Sequence, residues 1–120
     1  MPQFMLLLHR FPSDGPAPSP EEMQAVIAEY SAWSERLAAQ GKFLGGQKLA
    51  DEGGRSISAN GGGMSVTDGP FNETKEVIGG YFSIRAGDYD EAVRIAEDCP
   101  HLGYGGTIEI REIEETGPAE

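Results

Sequence analysis

Hydrophobic and polar residues alternate along this chain in two distinct rhythms, with glycine, proline and acidic residues marking the boundaries. Phe4-Met5-Leu6-Leu7-Leu8 is apolar at every position, the pattern of a strand buried on both faces. Ser19-Pro20-Glu21-Glu22 then opens a helix: Ser19 caps, Pro20 suits the first turn and Glu22 completes a capping box. Met23, Val26, Ile27, Tyr30, Trp33 and Leu37 follow at helical spacing as one inward stripe, and Gly41 stops it. Phe43 to Leu49 reads as a strand weakened by Gly45-Gly46. Ser56-Ile57-Ser58 and Met64-Ser65-Val66-Thr67 flank Asn60-Gly61-Gly62-Gly63, a hairpin signal.

Ile78 to Ala86 is the next strand, with Phe82 and Ile84 on one face and Tyr81, Ser83 and Arg85 on the other. Asp88-Tyr89-Asp90-Glu91 opens a second helix, with Tyr89, Ala92, Val93 and Ala96 inward and Pro100 just past its end. Gly106 to Arg111 is the last strand, Ile108 and Ile110 inward, and residues 114–120 read as a frayed tail. The order is β-α-β, a hairpin insertion, then β-α-β. It predicts one ferredoxin-like α+β domain over residues 1–120, with two helices on one face of a largely antiparallel sheet.

The first strand carries a further implication. Helices can cover only one of its two apolar faces, and a soluble monomer avoids leaving the other in water. A homodimer with sheet faces packed together is the expectation.

Composition narrows the function classes. Hydrophobic residues make up 38% and charged residues 24%, which suits a globular chain. The net charge of −11 repels phosphate backbones and anionic membranes, so direct nucleic-acid or membrane binding is not expected. The N-terminus lacks a basic-then-apolar leader, so a cytoplasmic location is expected. Cys99 is the single cysteine, read as a buried small hydrophobe at a helix end; with no Cys/His spacing of a zinc site, neither metal nor cofactor is expected.

The segment Val66-Thr67-Asp68-Gly69-Pro70-Phe71-Asn72-Glu73-Thr74-Lys75-Glu76, followed by Gly79-Gly80-Tyr81-Phe82, resembles the signature of the DGPF-domain group of YCII-related proteins. The resemblance runs from Phe4 to Arg111. It implies the ferredoxin-like fold and the dimeric α+β barrel of that superfamily. It also implies a His–Asp active site, carried here to Asp68 by the motif alone, because the helix-borne histidine usual in the wider family is missing. For Glu73, Thr74 and Lys75 the motif implies no role.

Topology adds what the motif does not. The first strand is central, so its C-terminal end, His9, lies where two antiparallel neighbours begin. One neighbour is entered through the loop from Asp68 to Glu76, the other through the loop carrying His101. His9, Asp68 and His101 are therefore the candidate acid/base residues. Tyr81, Arg85 and Arg111 face away from the helices and, with Lys75, are candidates for holding a small anionic ligand. Structural readings stand beside each of these. Asp-Gly-Pro makes a turn unaided, a strand-end histidine can be satisfied by backbone, and a loop histidine near a helix C-terminus is ordinary. Lys75 fits a solvated charge cluster, and Arg85 and Arg111 can pair with Glu109. Two functions remain open beside a structural dimer with no ligand. One is a metal-free lyase- or isomerase-type enzyme acting on a small organic acid. The other is a non-catalytic ligand- or partner-binding module, which the resemblance connects with sigma-factor regulation.

Overall fold

A computed structural model describes residues 1–11, 18–50, 53–68 and 77–115. Its elements are β1 (Gln3–Arg10), α1 (Pro20–Ala39), β2 (Phe43–Lys48), β3 (Arg55–Asn60), β4 (Gly63–Asp68), β5 (Val77–Arg85), α2 (Tyr89–Glu97), α3 (Pro100–Gly103) and β6 (Thr107–Ile113). A four-stranded sheet runs in the order β2-β5-β1-β6, with all its pairs antiparallel. Setting aside β3 and β4, which form their own two-stranded sheet, this is the ferredoxin-like α+β arrangement. Gly69 and Lys75 lie outside the described residues.

The helix starts follow the local chemistry. The Ser19 hydroxyl accepts from Glu22 N–H at 3.1 Å while Glu22 Oε1 accepts from Ser19 N–H at 2.9 Å, a complete capping box. Those bonds hold the Glu22 carboxyl below its usual range. Asp88 caps α2 by accepting from Glu91 N–H at 2.8 Å. At the far end of α1, Gly41 takes φ +72°, a conformation that costs glycine nothing.

The core lies between the sheet and the helices. Phe4, Leu6 and Leu8 of β1 and Ile84 of β5 pack against Trp33 and Leu37 of α1 and Ala92, Ile95 and Ala96 of α2. Phe82, Ile108 and Ile110 pack at its margin, as their alternation predicts, and Phe43 of β2 joins them. Cys99 is buried among these residues, and burial raises its thiol pKa. Tyr30 stacks on Phe82 with ring centroids 6.0 Å apart, and burial pushes its phenol up to about 12.

Two stripes differ from their expected form. In α1 the inward set is the C-terminal half: Trp33 and Leu37 are buried, whereas Met23 and Ile27 are exposed. In α2 the buried third position is Ile95, and Tyr89 and Val93 lie half in solvent. Even so, the Tyr89 hydroxyl accepts from Glu112 N–H at 2.8 Å, tying the start of α2 to β6. Residues 100–103, expected as loop, form the single turn α3.

A second tie crosses the helical side. Lys42 Nζ donates to Glu91 Oε2 at 2.8 Å, and the Gly87 N–H donates to Glu91 Oε1 at 2.6 Å. The Lys42 bond is the main reason the Glu91 carboxyl lies below its usual range. This pair lines a shallow groove of about 190 Å³ between α1 and α2, on the side of the sheet away from His9. The two charges answer each other there.

Candidate functional site

The opposite face of the sheet is covered by no described element. Strand pairing fixes its rows. Tyr81, Leu7 and Glu109 line up across β5, β1 and β6, and Ser83, Met5 and Arg111 form the next row. Beyond them Arg85 stands opposite Gln3. At the other end His9 lies between Ile78 and Thr107. Tyr81, Arg85 and Arg111 thus share one face with His9, as the period-2 pattern predicts.

The end of β1 is shaped by an irregularity. Leu8 pairs with Gly80 but His9 with Ile78, so Gly79 is an extra residue on β5. A bulge of this kind re-aims the neighbouring side chains. Close approach explains Gly80, where a Cβ would lie 2.8 Å from the Gln47 carbonyl oxygen; one at Gly79 would press on the Arg10 side chain, its Nε at 3.1 Å.

His9 Nε2 lies 3.0 Å from Glu109 Oε1. A carboxylate only accepts, so Nε2 carries the proton and donates. Arg111 Nη1 reaches the other oxygen of Glu109 at 3.4 Å. Glu109 therefore bridges an imidazole and a guanidinium on the open face. Its carboxyl is held below the usual range chiefly by the His9 bond, with Arg111 adding to it. His9 is part-buried, Glu109 nearly half exposed and Arg111 largely exposed. The Arg111 pair therefore adds little stability, and the arrangement stays accessible to a solute.

His101 comes to the same place from α3. Its Nε2 donates to the His9 carbonyl oxygen at 2.8 Å. The imidazole sits against Gly106, where a Cβ would occupy the space of the ring. The side chains of His9 and His101 thus act differently: one faces Glu109, the other clamps the backbone of β1 from the neighbouring loop.

Asp68 is placed elsewhere among the described residues. It ends β4 and pairs with Arg55 Nε at 3.2 Å across the hairpin, with both side chains largely exposed. The carboxylate at the His9 ring in this protomer is Glu109. Sequence alone set Glu109 on the open face without pairing it with His9. The signal that finds it is the β1/β6 register: Leu7 opposite Glu109 puts that residue diagonally next to His9.

No helix among the described residues is long and apolar enough to cross a membrane. Chemically, the arrangement offers a ring nitrogen with a fixed tautomer, a carboxylate to spread its charge, and two arginines on the same face.

Comparison with known proteins agrees with the architecture. The YCII-related domain model matches residues 3–116. An uncharacterized protein of Rhizobium meliloti (strain 1021) is 30% identical over 104 residues, covering 85% of this chain and 84% of the relative. Matched over nearly its whole length, the chain belongs to the YCII-related family.

Proposed function

We propose that the open sheet face is the floor of a small-molecule site, in which His9 exchanges a proton with a carboxylate-bearing ligand. The observation that carries this is the 3.0 Å contact between His9 Nε2 and Glu109 Oε1. With Nε2–H committed to Glu109, a neutral His9 keeps its lone pair on Nδ1, the nitrogen able to take a proton. Glu109 stabilises the imidazolium that results. Arg85, on the same face, makes no ion pair with the described residues and fits the ligand's carboxylate. The reaction class is proton transfer of the lyase or isomerase type.

A second copy of the chain belongs to the same reading. Met5, Leu7 and Tyr81 are only half buried on this face. Two such faces packed about 10 Å apart would cover them and form walls around the ligand. The homodimer is thus what turns an open floor into a cleft.

The test is amide chemical-shift mapping while pyruvate or succinate is titrated into the full chain. Shifts at Leu7, His9, Tyr81, Glu109 and Arg111 are expected, with millimolar affinity, weakened by Arg85→Gln. Shifts confined to the α1/α2 groove, or none, overturn the reading.

A further inference from the structure

The β3–β4 hairpin is the largest feature that the core and the candidate site leave unexplained. Its two-residue turn, Gly61-Gly62, has φ of +49° and +101°, the primed geometry that matches strand twist. The turn fixes the register. Ile57 lies opposite Val66 and Ala59 opposite Met64 on one face; Ser56 lies opposite Thr67 and Ser58 opposite Ser65 on the other. The hairpin therefore has an apolar face and a polar face. The apolar one is in solvent: Ile57 is 64% exposed, Val66 59% and Met64 74%.

A two-stranded hairpin is marginal by itself and needs a third layer to settle. Among the described residues, the only element either strand packs on to any extent is the other. Burying one such side chain contributes on the order of 1.5–3 kcal/mol, so three left in water is a large gain not taken.

We propose that this hairpin is an exchanged arm. Its apolar face lies on a second copy of the chain and closes the mouth of the cleft over that copy's open sheet face. The inference rests on the face-to-face dimer of the preceding reading and adds the element that covers it.

Three observations favour a second copy over another partner. Among the described residues two surfaces with uncovered apolar side chains stand out, the hairpin and the Met5-Leu7-Tyr81 patch of the open sheet, and one two-fold axis satisfies both at once. The arm also leaves from the right place. It departs from β2, an edge strand, at Lys48, whose partner Gly80 also pairs with Leu8, so the departure is at the His9 end of the sheet. From Lys48 to Arg55 and from Asp68 to Val77 the chain can span roughly 23 and 30 Å, enough to pass a sheet edge. Finally, area calls for the arm. Four strands and an eight-residue β1 give an open face on the order of 500 Å². Two faces bury about 1,000 Å², the low end for a specific interface. Two arms, each roughly 20 Å by 10 Å, bring the total into the ordinary range of about 1,200–2,000 Å².

The experiment uses Ser65→Cys, on the polar face of the hairpin, carrying a nitroxide spin label; Cys99 is buried and wild type treated identically is the control. Spin-labelled chain at natural isotopic abundance is co-refolded with ¹⁵N wild-type chain, and mass is followed by sedimentation velocity. Relaxation broadening at Ile78, Tyr81 and their neighbours in the ¹⁵N chain is expected. A dimer with no broadening in the ¹⁵N chain, or with broadening only on its helical side, overturns the arm and leaves the dimer standing. A monomer overturns both.

Discussion

Replacing Trp33 with alanine lowers the stability of the fold by about 3–5 kcal/mol, the cost of emptying a large buried aromatic site. Trp33 is 2% exposed. Its ring meets Phe82 edge-on at 4.9 Å and Phe43 at 6.4 Å. Its Nε1–H donates to the Ile95 carbonyl oxygen at 3.3 Å, joining α1 to α2. One side chain thus fastens both helices to the strands β2 and β5. For a domain of this size the loss corresponds to a fall of roughly 15–25 °C in Tm. Trp33→Phe separates packing from the hydrogen bond: it keeps most of the ring and costs about 1 kcal/mol. The Ile95 carbonyl is not orphaned, since it also accepts from Asp98 N–H at 3.4 Å. Calorimetry on the two variants checks this, and equal losses would show that the ring's packing is not what matters.

Replacing Leu7 with aspartate leaves the fold intact and separates the proposed dimer into monomers. Leu7 is on the open face between Tyr81 and Glu109, outside the core cluster. In a two-fold dimer both copies lose a buried leucine, about 3–6 kcal/mol together. That raises the dissociation constant by about 10²–10⁴. Sedimentation velocity at micromolar concentration is expected to give twice the 12.9 kDa chain mass for wild type and the chain mass for the variant, with unchanged circular dichroism. A variant that stays dimeric would remove the open face from the interface.

What could be read from the sequence depended on the range of each interaction. Ser19 with Glu22, and Asp88 with Glu91, are contacts within one turn, so both helix starts were legible. The alternation in β5 and β6 was equally local, and it placed Tyr81, Arg85 and Arg111 on the face they occupy. The α1 stripe was over-extended because periodicity records which residues can be buried, while the sheet decides how many are. That is why Met23 and Ile27 are exposed although they continue the pattern of Trp33 and Leu37.

Val93 and Ile95 compete for the inner side of α2, and only the packing of the helix beside β6 settles it in favour of Ile95. α3 is one turn whose Cys99 N-cap offers no side-chain bond, so Pro100 at its first position is a weak signal that reads equally as the stop of α2. In the candidate site, the meeting of β1's end with the His101 loop followed from strand order alone. The carboxylate at His9 did not, because it needs the register between strands a hundred residues apart. Asp68 opposite Arg55 was readable in principle: once the turn is set at Gly61-Gly62, counting back along both strands pairs them.

The candidate site depends on the His9 ring and Glu109 holding each other on the open face. ¹³C-detected NMR titration of the Glu109 carboxyl, in wild type and in His9→Ala, measures this directly. The His9 bond stabilises the carboxylate, so its wild-type midpoint lies below the ordinary 4.5. By linkage, that contribution to stability is present above the ordinary value and is lost as pH falls through the lowered midpoint. His9→Ala moves the midpoint up toward 4.5, with Arg111 keeping part of the shift. A wild-type midpoint already at the ordinary value, or one that His9→Ala leaves unchanged, contradicts the account.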